Sequence, residues 1–404
     1  MRITITALTL FVVSFAFFLR DIGNPPGFLL DEMQYVPSAK ALLAHDVNPN
    51  PEAPPLGKLL LAIGIKVFGD NPVGWRIMSV VFGAFTLAGI FLWVQLLLDD
   101  YFLSVVAAVL TLLNNFLFVF ARAALMDIFL VGFLIWGLLA FTAALKLDNI
   151  SVAGRRALLL GSGVLFGFAC AAKWNGVDTL GLAVAISAGL LWLSKRSSNP
   201  EIISYAKHLR EAGAAWLAVA LLLVPVLAYC ITFVPLVHSM NLPFSAHELI
   251  AMNVFIWKFH RNIVGNVFLV TPWYKWPLHA DPLRALSYLI GNWYVMWAGL
   301  LALLFCARRF GRSFAETLII LLYAGNYLQW AITPQSCMFY YYYFPAAIFL
   351  GVAIPMALRQ LPERVFGVRL GTLSVLPALV VFAYCYPRMA HLPSPFDCAL
   401  GCWP

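Results

Sequence analysis

Two adjacent carboxylates, Asp31 and Glu32, stand just after the first apolar run, within Leu29-Leu30-Asp31-Glu32-Met33-Gln34-Tyr35. Like charges this close repel, so one of the two holds its proton more readily. A carboxylate at a membrane–water boundary serves as a general base when a hydroxyl comes within hydrogen-bond reach. The same acids also suit the start of a helix over 33–45. Cations recur along the chain. Lys58, in Pro54-Pro55-Leu56-Gly57-Lys58, offers a point charge to an anion. Arg76 opens one apolar run, and Arg122 with Asp127 opens another. A guanidinium binds phosphate through a planar fork, and equally forms ion pairs between helices. Arg122 and Asp127, five apart, share a helix face only loosely. Lys173, in Lys173-Trp174-Asn175-Gly176, serves either a phosphate or the anchoring of a helix end. The segment Thr271-Pro272-Trp273-Tyr274-Lys275-Trp276-Pro277-Leu278 is either a sugar platform or an interfacial aromatic belt.

What positions these residues is a set of membrane-spanning helices. The chain is 62% hydrophobic and only 11% charged, against about 25% charged for a soluble domain. A soluble protein this apolar has no way to shield its surface from water; a bilayer removes the need. Runs of about 20 apolar residues span a bilayer. About eleven are expected here: 2–20, 75–98, 102–120, 123–146, 157–172, 176–194, 213–235, 283–306, 314–333, 339–358 and 370–387. The first is read as a retained helix rather than a cleaved signal. One continuous unit over 1–404 is expected, with no repeat and no separate soluble domain.

The loops set an orientation. With the N-terminus inside, four consecutive inside loops hold Arg155 and Arg156; Lys195, Arg196, Lys207 and Arg210; Arg308, Arg309 and Arg312; and Arg359, Arg364 and Arg369. That is the positive-inside pattern. The net charge of +8 therefore belongs to topology and gives no sign of nucleic-acid binding. Two long outer loops, 21–74 and 238–282, are expected to form the active-site face. The first carries candidate amphipathic helices near 33–45 and 56–69. Asp31, Glu32, Lys58, Arg76, Arg122, Asp127, Lys173 and His260 all fall on or near that face. Ionisable groups near membrane depth are costly, and such a gathering on one side favours a site. No His and carboxylate cluster has metal-ligand spacing, and no metal or cofactor is expected. Cys398 and Cys402 lie in the tail, and whether they pair in a disulfide depends on the tail meeting an oxidising compartment.

In these motifs the chain resembles the dolichyl- and polyprenyl-phosphate-mannose protein O-mannosyltransferases, which have the GT-C fold. The similarity runs from Asp31 to about Pro345. It comprises Asp31-Glu32, Pro-Pro-Leu-Gly-Lys at 54–58, Arg76, Arg-x4-Asp at 122–127, Lys173-Trp174, Phe259-His260-Arg261-Asn262, Thr271-Pro272-Trp273, Trp276-Pro277-Leu278 and the segment Phe339 to Pro345. There are departures. Ala53 and Tyr342 stand where the family usually has His, Val267-Phe268 replaces a His-Pro pair, Gln335 lies near an expected Arg, and the β-trefoil domain of eukaryotic members is absent.

The resemblance implies an all-α GT-C membrane bundle that transfers a sugar, with mannose favoured, from a polyprenyl phosphate to an acceptor hydroxyl with inversion. It implies Asp31 as the base, aided by Glu32. Arg76, Arg122, Lys58 and Lys173 would meet the donor phosphate, with Asp127 and His260 beside them. The expected partners are the lipid-linked donor, a protein or glycolipid acceptor and the bilayer. The alternatives are a transferase acting on lipid A or a surface glycan, and a lipid-sugar flippase without chemistry. A bacterial inner membrane with an outward-facing site is the expected location.

Overall fold

The computed structural model describes residues 1–46, 48–262, 270–278, 289–333, 337–365 and 367–391. Val267-Phe268, Gln335, Cys398 and Cys402 lie outside the described residues. So do parts of the second outer loop and the start of the expected 283–306 span.

The fold begins with α1 (Arg2–Leu19). The first outer loop then folds into α2 (Glu32–Ala44) and α3 (Leu56–Phe68), the two amphipathic helices expected there. Next come α4 (Pro72–Leu98), α5 (Tyr101–Leu112), α6 (Asn115–Phe120), α7 (Met126–Lys146), α8 (Val152–Ala172) and α9 (Gly176–Leu193). A short α10 (Pro200–Ala212) leads into α11 (Ala214–Ala218), a π-helical turn at Val219–Leu223, and α12 (Val224–Ile231). Pro225 lacks the N–H that an α-helical ladder needs there, which accounts for the widened turn. α13 (Val234–Ser239) ends this apolar segment, and the second outer loop contains α14 (Ala246–Asn262). The chain returns through α15 (Trp293–Ala307), α16 (Phe314–Ile332), α17 (Phe344–Leu358) and α18 (Leu370–Met389).

Among the described residues, eight helical segments are long and apolar enough to cross a bilayer. The other three expected spans differ, each for a local reason. The run 102–120 is broken: Asn114 caps α6 through the Phe116 N–H (3.1 Å), and Asn292 donates to the Leu113 carbonyl (2.9 Å). The run 283–306 is helical from Trp293. α16 carries Glu316, Asn326 and Gln329, which lower its apolar character.

Burial separates inner from outer helices. The membrane segments of α4 and α7 are 78% buried and that of α17 is 89% buried, against 17% for α1 and 22% for α18. Lipid is as apolar as leucine, so tight helix contacts need small residues. A Cβ on Gly163 would lie 1.9 Å from the Ala220 carbonyl oxygen, and one on Gly167 would lie 2.5 Å from that of Pro225. These two glycines, one turn apart, let α8 seat against the π turn and α12.

Candidate active site

Asp31 and Glu32 sit at the start of α2 but face different surroundings. Glu32 is fully buried and pairs with Arg76, whose side chain is also fully buried. Arg76 is aimed by the first turn of α4, which Asn71 caps by accepting from the Val73 and Gly74 N–H groups (3.0 and 3.1 Å). All five guanidinium N–H groups are used. Nε and Nη2 donate to the two Glu32 oxygens, each at 2.8 Å. The others donate to the carbonyls of Ile22, Pro25 and Gly27 (3.1, 2.8 and 2.7 Å). Glu32 also accepts from the N–H groups of Leu29 (2.8 Å) and Ala124 (2.7 Å). The pair thus ties together four segments: the 22–29 loop, α2, α4 and the turn before α7.

Arg122 is likewise turned inward. It donates to the carbonyls of Phe18 (2.7 Å), Arg20 and Asp21 (3.2 Å), and lies 5.1 Å over the Phe118 ring. Lys58 is fully buried and donates to the carbonyls of Asn50 and Ala53 and to Asn50 Oδ1. Burial pulls its proton affinity down, to about 7, with nearby Glu52 opposing the effect. Arg76, Arg122 and Lys58, expected to meet a donor phosphate, are each engaged with backbone carbonyls of the protein itself. Their N–H groups satisfy loop carbonyls that no helix or sheet reaches. Glu32, expected to aid catalysis, has both carboxylate oxygens engaged by Arg76 and by the Leu29 and Ala124 N–H groups.

Asp31 lies on the other side of this turn. It occupies the N-cap position of α2 but makes no capping bond. Its Oδ2 accepts instead from the Tyr341 hydroxyl at 3.0 Å. Burial raises its carboxyl above the usual range; the Tyr341 bond and Lys173 pull it back, and Asp127 adds to the rise. Lys173 and Asp127 form an ion pair at 2.8 Å. The Lys173 ammonium also stands 4.5 Å from the centre of the Tyr342 ring, a cation–π contact.

Beside this group opens a cleft of about 370 Å³, lined among others by Tyr35, Lys173, Asp178, His260, Arg261 and Tyr342. Tyr35 is one turn beyond Asp31 on α2, and burial holds its hydroxyl far above the ordinary range. The His260 Nε2–H donates to the Glu52 carbonyl at 3.0 Å. Burial lowers its proton affinity, the bond to the Glu52 carbonyl opposes that, and Lys173 adds to the lowering. Asp31, Asp127, Lys173 and His260, expected to meet, are brought together. Glu32, Arg76 and Arg122 form a separate buried clamp, and Lys58 pins the 50–53 loop.

The aromatic segment divides. Trp276 is core: its Nε1–H donates to both Thr271 oxygens at 3.0 Å, and its ring meets Trp330 edge-on at 5.5 Å. The Thr271 N–H bonds the Met338 carbonyl (2.8 Å), and Val270 bridges Phe339. The outer loop thereby braces the segment that presents Tyr341.

A family model described as dolichyl-phosphate-mannose-protein mannosyltransferase matches residues 52–229. A polyprenol-phosphate-mannose–protein mannosyltransferase of Mycobacterium tuberculosis is 25% identical, aligned over 93% of this chain and 85% of its own length. The protein of the same description from Mycolicibacterium smegmatis is 26% identical over 92% and 85%. In sequence the chain is similar to the protein mannosyltransferases. Its fold is that of the GT-C membrane glycosyltransferases. The S. cerevisiae protein O-mannosyltransferase Pmt1–Pmt2 complex bound to the sugar donor superposes with a TM-score of 0.77 at 13% identity, covering 98% of this chain and 91% of that one. ArnT from Cupriavidus metallidurans bound to undecaprenyl phosphate gives 0.64 at 16% identity, covering 97% and 65%. Tyr342 completes the setting of Lys173. Its ring carries the Lys173 ammonium, a contact that an uncharged aromatic face makes well.

Proposed function

We propose that this multi-pass membrane protein is a glycosyltransferase that moves mannose from a polyprenyl-phosphate carrier to a Ser or Thr hydroxyl of a protein. The observation that carries this reading is Asp31, held by Tyr341 beside an open cleft that contains Lys173. Its raised proton affinity makes it a stronger base than a free carboxylate. Asp31 takes the proton of the acceptor hydroxyl. The freed oxygen forms a bond to the anomeric carbon from the face opposite the phosphate. The anomeric carbon–oxygen bond to phosphate breaks, its electron pair leaves with the polyprenyl phosphate, and configuration inverts. Lys173, oriented by Asp127, and Arg261 on the far wall supply positive charge to the departing phosphate. Glu32, Arg76, Arg122 and Lys58 hold the loops that place Asp31.

In this reading the described parts of the outer loops 21–74 and 238–282 make up the active-site face. The basic loops at the opposite end of the helices support an inside assignment for that end, and so a cleft facing the periplasm or cell exterior from an inner membrane. Purified protein in proteoliposomes, given labelled polyprenyl-phosphate mannose and separate peptide, lipid A and glycan acceptors, tests the reading. Labelled peptide is expected. Label on lipid A or glycan alone, or label crossing the bilayer without transfer, overturns it.

A further inference from the structure

A second cavity, about 300 Å³, lies at the end of the bundle away from the catalytic cleft. It opens where the last turns of α9 meet the first turns of α10 and α16. Its walls are almost wholly apolar, including Leu182, Ile186, Leu190, Tyr205, Phe314 and Leu318. Gly189 lies on this wall, and a Cβ there would meet nothing within 4 Å.

Two turns frame the mouth, 194–199 and 308–313. They are fastened by the Asn199 side chain donating to the Arg312 carbonyl (3.0 Å) and by the Phe314 N–H donating to Glu201 (2.8 Å). Five exposed cations sit on them: Lys195, Arg196, Arg308, Arg309 and Arg312. Exposed aromatics stand among the cations, Trp192 at 58% and Phe310 at 51%. Arg196 lies over Trp192 and Arg308 over Phe305. The nearby carboxylates are turned inward. Glu201 caps α16, and buried Glu316 takes the Ser313 hydroxyl and Arg309 (3.6 Å). Arg308 and Arg312 form no ion pair among the described residues.

An apolar slot under a rim of cations and rings, at the membrane–water boundary, matches an acyl chain joined to a phosphate. The donor's polyprenyl chain fits less well. The α9–α16 seam between the two cavities is closed by the Asn326 side chain donating to Thr179 (3.1 Å) and by Leu182 packed on Gly325. The two cavities also share no lining residue. We propose that this cavity is a binding site for an anionic phospholipid of the leaflet opposite the catalytic cleft. One acyl chain lies along Gly189, and the phosphate lies against Arg308 and Arg312.

The test is native mass spectrometry of protein released from nanodiscs of phosphatidylglycerol or phosphatidylcholine, paired with melting temperature in each. The native chain is expected to keep phosphatidylglycerol and to melt higher with it. The double substitution Arg308→Gln and Arg312→Gln is expected to weaken retention about tenfold. Gly189→Phe fills the slot and is expected to abolish retention while melting as the native chain does in phosphatidylcholine. Should Gly189→Phe not fold, the arginine pair decides alone. Equal retention of both lipids, no effect of the arginine pair, or displacement of the retained lipid by polyprenyl phosphate overturns the proposal.

Discussion

Asp31 and Glu32 are neighbours in sequence and opposites in setting. Glu32 accepts four hydrogen bonds, two of them from a guanidinium whose own five donors are all used. Asp31 accepts one, from a tyrosine, and is only partly buried, near the cleft that Tyr35 and Lys173 line. The same contrast holds among the cations. Arg76, Arg122 and Lys58 close loop carbonyls, whereas Lys173 shares one carboxylate and one ring and still lines the cleft. A saturated charged group is architecture, because recruiting it for a ligand would break bonds in a place water does not reach. An unsaturated one, held by few partners, is available for chemistry.

Substitutions on either side should break or sharpen this contrast. The largest effect is expected from Asp31→Asn, which removes the base and should cost about 10²–10⁴-fold in transfer rate with an unchanged melting temperature. Arg76→Gln comes next, and its effect should be on folding. It leaves Glu32 buried without its partner, at a cost of about 3–5 kcal/mol. Monodisperse folded protein should fall sharply in fluorescence-detected size exclusion. Lys173→Gln should lower kcat about a hundredfold while folded yield holds, with partial recovery by Lys173→Arg. Tyr341→Phe is the gentlest, at about 1 kcal/mol, or about fivefold. The Tyr341 hydroxyl stabilises the ionised form of Asp31. Without it the carboxyl rises further, so the acidic limb of the kcat/KM profile should move to higher pH. A limb that stays in place, or moves lower, separates Asp31 from the profile.

Much of this was legible in the sequence, for physical reasons. Apolar length and basic loops report the bilayer directly, so α1, α4, α7 to α9, α17 and α18 were expected close to where they lie. The prolines before Leu56 marked the start of α3. Lys173, Asp127, Asp31 and His260 shared a face by topology alone. The division between clamp and cleft was hidden, because it depends on which carbonyls remain unpaired once the loops fold. Arg76 and Glu32 are 44 positions apart, and Tyr341 and Asp31 are 310 apart. No local periodicity encodes such meetings. The break in the 102–120 run depends on Asn292, far along the chain. Trp276 had the composition of an interfacial residue, and only its bonds to Thr271 show it to be core.

The central claim is that adjoining carboxylates divide chemistry from architecture. Its most direct test is sugar transfer per folded molecule for Asp31→Asn and Glu32→Gln, measured side by side in the same proteoliposomes. The account predicts that Glu32→Gln stays within about tenfold of the native rate per folded molecule, while Asp31→Asn falls by at least about a hundredfold. Equal losses in the two, or near-native transfer by Asp31→Asn, would contradict it.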